Sequence, residues 1–130
     1  MNLYVADTHA LYWFLLASPR LSAAAKAAFD EGVQGKALIY IPAIVMAELY
    51  FVNRKQGTPL DFAATLARLR ANAQYVFVPL AATDMLDFDR HTATPEMHDR
   101  MVVGAALRLG ATCITCDRQI IGSGLVATLW

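Results

Sequence analysis

The hydrophobic pattern predicts an α/β fold: a single domain over residues 1–130, with a mainly parallel central sheet of four to five strands flanked by helices. Two observations carry this expectation. Short β-rich apolar runs recur between stretches whose apolar residues repeat at helical spacing. No linker, repeat or low-complexity segment divides the chain, and 130 residues suffice to bury one genuine core.

The elements follow in order. "NLYVA" (2–6) reads as a first strand buried on both faces, and "THALYWFLL" (8–16) as the helix after it. "SPRLS" (18–22) breaks the pattern, with Ser22 placed to cap the helix beginning "AAAKAAFDEG". "ALIYI" (37–41) is a second strand, and Pro42 suits the first turn of the helix "AIVMAELYFVNRKQ". Gly57 ends that helix, and another runs from Pro59 to Ala71. "QYVFVPL" (74–80) is a third strand, 82–89 a short helix and 91–97 a loop. A helix over 98–110 closes at Gly110, a favourable residue just past a helix end. "ATCITC" (111–116) is a fourth strand, "DRQIIG" a helical turn and "LVATLW" (125–130) a short fifth strand.

Composition narrows the function classes. Eleven basic and eleven acidic residues cancel, which argues against a broad basic surface for nucleic acid and makes any phosphate binding local. Mean hydropathy is high at +0.39, yet no apolar run reaches the roughly 18–20 residues of a membrane span. The longest, "ALIYIPAIVMA" (37–47), contains Pro42 and runs into Glu48. The N-terminus lacks a basic leader and Asp7 interrupts its apolar stretch, so no signal peptide is expected. The expectation is a cytoplasmic protein with no membrane association. Two cysteines do not suggest a disulfide framework.

In parallel sheets, ligands bind where strands end and the chain turns into helices. Four acids draw attention on that rule. Asp7 closes the first strand, Asp117 closes the fourth, Asp99 opens a helix entered from a loop, and Glu48 lies about two turns into the helix after the second strand. Asp7 and Asp117 are also natural helix caps, and Asp99 an acid suited to a first helical turn. Glu48 is harder to assign to structure alone. It shares a stripe with Ile44, Val45 and Val52, so it faces the core and needs a cation or strong donors, whether a salt bridge to Arg100 or a metal. Asp99 lines up with Val102, Val103 and Ala106 in the same way. Four carboxylates converging over one sheet end would repel unless cations neutralised them. An oxygen-only site of this kind suits Mg²⁺ or Mn²⁺ and metal-assisted hydrolysis of a phosphodiester.

The segments "VADTHALYWFL", "IPAIVMAELYF", "HDRMVVGAALRLGA" and "TCITCDRQI", in that order, resemble the PIN domain, and more narrowly the VapC-like ribonuclease toxins of type II toxin–antitoxin modules. The resemblance covers essentially the whole chain. It implies that Asp7 and Asp99 are the principal metal ligands, with Glu48 and Asp117 completing the acidic quartet. Thr8 matches the small hydroxyl residue beside the first acid, and Thr115 the hydroxyl two residues before the fourth. The implied function is a Mg²⁺- or Mn²⁺-dependent endoribonuclease acting on RNA, commonly a homodimer, inhibited by a cognate antitoxin protein. With no acid of the quartet missing, nothing suggests an inactive relative.

Other polar residues are weaker candidates. His98 can contact substrate or simply cap its helix, and His9 can bond a neighbouring backbone group. Arg100 is expected to pair with an acid. Arg54, Lys55, Arg68, Arg70 and Arg118 offer phosphate contacts on what is otherwise a solvated face. Tyr12, Trp13 and Phe14 read as core, or with Leu11 and Leu15 as part of a groove for an antitoxin helix. The alternatives are a catalytically silent RNA- or partner-binding module and a phospho-aspartate enzyme. The latter wants a lysine after a later strand, and Lys26, Lys36 and Lys55 are not at such a junction. No G-x-G-x-x-G supports dinucleotide binding. Cys113 and Cys116 spell C-x-x-C, but residues three apart on a strand face opposite ways, and no second pair supplies a zinc site.

Overall fold

A computed structural model describes residues 1–130. Five strands form one sheet: β1 (Asn2–Ala6), β2 (Ala37–Pro42), β3 (Tyr75–Val78), β4 (Thr112–Ile114) and β5 (Thr128–Leu129). Their order is β3-β2-β1-β4-β5, and every neighbouring pair is parallel. Helices α1 (Thr8–Leu15), α2 (Ala23–Val33), α3 (Ala43–Lys55), α4 (Phe62–Ala71), α5 (Met97–Leu109) and α6 (Arg118–Ser123) make the connections, with a 3-10 helix over Ala82–Arg90. The expected α/β architecture is present, with the full five strands. No helix is long and apolar enough to cross a membrane.

Both faces of the sheet centre are covered. Tyr4, Val5 and Ala6 are consecutive and buried, as are Cys113, Ile114 and Thr115, which strand alternation permits only when layers lie above and below. From β1 the chain builds outward through β2 and β3, then crosses back to place β4 on the other side of β1. The strand order therefore reverses between β1 and β4, and the crevice at their carboxyl ends is the switch point where open α/β sheets bind ligands. The β1–β4 register pairs Ala6 with Ile114, so Asp7 and Thr115 emerge side by side.

Local boundaries differ from the sequence expectations by a few residues, each for a visible reason. The helix expected from Pro59 starts at Phe62, because Asp61 caps it through the Ala64 N–H at 3.0 Å. Asn53, buried in α3, holds the preceding Leu60 at both its N–H and its carbonyl. Pro42 ends β2 rather than opening the helix. Ser22 caps α2 as expected, through the Ala25 N–H. The helix expected at 98 begins at Met97, with Glu96 accepting from the Asp99 N–H at 2.8 Å. At its other end Gly110 adopts φ 62°, a left-handed turn where a side chain would be strained. The fourth strand is shorter than 111–116, since beyond Ile114 the chain already turns toward α6.

Candidate functional site

Three of the four acids, Asp117, Asp7 and Glu48, are joined by one hydrogen-bonded path across the switch point, and the charge of each bears on Asp99. Asp117 caps α6, its Oδ1 accepting from the N–H groups of Gln119 and Ile120 at 2.8 and 3.1 Å. Its own N–H donates to Thr115 Oγ1 at 3.0 Å, and that hydroxyl donates to Asp7 Oδ2 at 2.7 Å. Asp7 Oδ1 accepts the Thr8 N–H at 2.8 Å, capping α1. The Thr8 hydroxyl in turn donates to Glu48 Oε1 of α3 at 2.9 Å. On the far side of Glu48 stands His98, with Nδ1 3.9 Å from Glu48 Oε2 and 2.8 Å from Glu96 Oε1. Two strand ends and three helices are thus tied by side chains that the sequence placed at their junctions.

Asp99 is the exception. Its backbone N–H is satisfied by Glu96, but no donor or cation in the chain reaches its carboxylate. Burial, then the charges of Asp117, Asp7, Glu96 and Glu48, push its carboxyl up to about 7 from an ordinary 3.8. Asp7 is also raised, chiefly by burial, against the opposing pull of the Thr115 hydroxyl and the Thr8 N–H. Glu48 is raised by burial, with the Thr8 hydroxyl and His98 opposing and Asp7 adding to the shift. At Glu96 burial is outweighed by the N–H donations of Asp99 and His98, and its carboxyl falls below the usual value. The cluster holds more negative charge than its own donors compensate. Even so, no three His, Cys, Asp or Glu side chains close into a cation-ligand cluster.

Two expectations, for Arg100 and His9, need correcting. Arg100 does not pair with an acid: its Nε donates to the Thr94 carbonyl at 2.8 Å and Nη1 to the Phe88 carbonyl at 3.2 Å. It pins the 3-10 helix and the following loop to α5, because those carbonyls are the acceptors within reach. His9 bonds no backbone group, and its ring instead lies 5.5 Å from Trp13. Leu11 is sealed in the core and Tyr12 is buried with an edge toward the space between α1 and α3, while Phe14 stacks on Phe29 at 4.4 Å. The aromatic run therefore does not present one continuous surface. Arg54, Lys55, Arg68, Arg70 and Arg118 are exposed, and Arg54 lies over the Tyr50 ring. Cys113 is buried, Cys116 lies beyond the strand, and both are free thiols held above the ordinary range by burial.

Glu96 was missed by sequence reasoning. Glutamate is a poor helix cap by preference, and "PEMHD" (95–99) carries no capping signature. The only cue was an acid three residues before Asp99, at the distance where a side chain reaches that N–H.

Comparisons with known proteins agree with this fold. The PIN domain model matches residues 4–121. VapBC2 from Rickettsia felis, in a structure bound to a DNA fragment from its promoter, is 14% identical, with a TM-score of 0.70 over 97% of this chain and 96% of that one. VapC20 of Mycobacterium tuberculosis, a sarcin-ricin loop cleaving toxin, is 14% identical, with a TM-score of 0.68 over 95% and 96%. The PIN domain endonuclease Utp24 gives a TM-score of 0.51 at 14% identity over 93% and 75%. A comparison with curated protein sequences finds no match. The family model spans most of the chain, and the chain belongs to the PIN-domain family.

Proposed function

We propose that this protein is a Mg²⁺- or Mn²⁺-dependent endoribonuclease of the VapC type, the toxin of a toxin–antitoxin pair. The observation that carries the reading is the Asp99 carboxylate: without a donor, surrounded by acids, and raised to about 7. Such a group calls for a cation. The donors around it are oxygens, the set that hard divalent ions prefer. Asp7, Glu48, Asp99 and Asp117 would hold the ion, which would polarise the phosphate and help water act as nucleophile.

The chain's own residues do the rest. Thr115 orients Asp7 and, through the Asp117 N–H, fixes the turn that carries Asp117. Thr8 aims Glu48 from the first turn of α1. His98 stands at the rim between Glu96 and Glu48, where its ring would face a bound strand. Exposed Phe51 and Met97 beside this rim suit burial against protein, as a homodimer or an antitoxin complex requires.

The native protein is expected to cut RNA in Mg²⁺ or Mn²⁺, and to lose that activity in excess chelator and in Asp7→Asn and Asp99→Asn. Robust cleavage by both variants, or in chelator, sinks the reading. A second reading, a silent RNA- or partner-binding module, is favoured by the lack of a closed ligand cluster. Metal-linked stability separates the two, because a working site gains thermal stability from Mn²⁺ and a silent one does not.

A further inference from the structure

A cleft of about 320 Å³ lies between α1 and α3, its nearest residues being His9, next to Thr8, and Val52, one turn beyond Glu48, while Thr8 and Glu48 bond each other. Its volume lies at the low end of the roughly 300–1,000 Å³ typical of small-ligand sites. On α1 the wall is the stripe His9, Tyr12, Trp13 and Leu16, and on α3 it is Val52 and Gln56, one and two turns beyond Glu48. Ser18, Arg20 and Pro59 close the far end. No acid lines it, and Arg20 is its one arginine.

We propose that this cleft is a nucleobase subsite, holding the base of the nucleotide next to the phosphate at the acidic cluster. The proposal rests on the nuclease reading for its ligand, and on four features of the cleft for its chemistry. The half-buried Trp13 indole lines the cleft, and the Arg20 guanidinium sits over its ring at 5.9 Å, a stacking position that a base can take when Arg20 moves. Trp130 packs edge-on against Trp13 at 5.8 Å and holds the indole in place. Arg20 is exposed and has no acidic partner, so it is free to move onto a neighbouring phosphate. Polar groups along the walls are also unclaimed: His9 and Gln56 make no side-chain hydrogen bond, and the buried Tyr12 hydroxyl has no partner.

Reach agrees with this assignment. Trp13 lies five residues beyond Thr8, about 7.5 Å along the helix axis at 1.5 Å per residue. That is near enough for a base whose adjoining phosphate lies at the acids. Stacking on aromatics is tolerant of sequence, while donors on the base edge select among bases. A protein partner fits less well, because the hollow next to it, over Ile44, Ala47 and Phe51, supplies the apolar surface such a partner needs.

The test is fluorescence anisotropy with a short, labelled, mixed-sequence single-stranded RNA, in chelator so that no strand is cut. A second strand of the same length carries abasic positions and keeps the phosphates. Native protein is expected to prefer the base-bearing strand. Trp13→Leu should lower its affinity for that strand roughly 10-fold and barely change the abasic one. Arg20→Ala, at an exposed position that leaves the fold intact, should weaken both. Melting temperature reports whether Trp13→Leu has kept its packing, and Arg20→Ala decides if it has not. Equal affinity for the two strands, no binding by native protein, or affinity unchanged in both variants overturns the proposal; the last is also what a protein-binding cleft would give.

Hydrolysis of bis-para-nitrophenyl phosphate by native protein in Mn²⁺ reports the acids separately, since this diester has no nucleobase. Failure there with Trp13-dependent RNA binding intact overturns the nuclease reading and keeps the cleft. Success there with RNA affinity indifferent to both substitutions overturns the cleft alone.

Discussion

The two halves of the acidic site are built on opposite terms. At the ends of β1 and β4, Asp7, Thr115 and Asp117 are locked by backbone and hydroxyl donors, and every one of these groups has a named partner. At the start of α5 the supporting segment is the 3-10 helix and a loop, in which buried His91 Nδ1 and Thr94 Oγ1 lack partners and the Asp99 carboxylate has no donor. Arg100 clamps this segment through two carbonyls, and Arg108 reaches Asp84 and Asp87 at 3.4 and 3.5 Å. The strand ends supply rigid placement, and the helix start supplies unmet charge. A cation site needs both, since placement without unmet charge attracts nothing and unmet charge without placement selects nothing.

Breaking the helix half has the largest expected effect. Asp99→Asn should reduce RNA cleavage by roughly 10²–10³-fold, the scale on which removal of one electrostatic group acts. Because the acid is uncompensated, the same change should stabilise the metal-free fold, read as a higher midpoint in urea. If stability falls instead, the picture of an unmet charge is wrong.

Under the proposed function, a metal ion would join the two halves. At a Mn²⁺ concentration of about 100 times its Kd, the native protein should gain roughly 2.7 kcal/mol by linkage, measured as a rise in melting temperature. Asp99→Asn should lose most of that gain.

Thr115→Val tests the strand half. It removes the donor to Asp7 and the acceptor for Asp117 in a residue buried to 0% exposure, at a cost of about 1–3 kcal/mol in metal-free stability. A cost near zero would mean that the strand ends place the acids without it.

A further effect is in pH. Asp99 titrates near 3.8 when unfolded and about 7 when folded, so between those values the folded chain holds a proton the unfolded chain releases. Metal-free stability from this group is full below about 3.8 and is lost as pH rises through 7. Asp7 and Glu48, also raised, act with the same sign. Urea midpoints across this range should fall with pH in the native protein, and less steeply in Asp99→Asn.

Much of this was legible beforehand, for particular reasons. Asp7 and Asp117 stand at junctions where period-2 runs give way to helices, so local pattern was enough to mark them. Glu48 and Asp99 were marked because a charge on an apolar stripe is costly wherever the helix packs. Arg100 was misassigned because its neighbours in sequence say nothing about carbonyls presented by a 3-10 helix and loop. Glu96 was overlooked because capping by glutamate runs against preference.

By itself, then, the sequence determined the alternation of strands and helices, the parallel sheet and the four acids, all of which follow from local periodicity and the cost of burying charge. Only the tertiary structure decided that Thr115 meets Asp7, that Thr8 meets Glu48, and that α1 and α3 part to leave Trp13 and Arg20 facing a cleft. Those contacts join residues 108 and 40 positions apart. They depend on strand order and register, and no local pattern in a chain encodes which distant junctions will come to lie side by side.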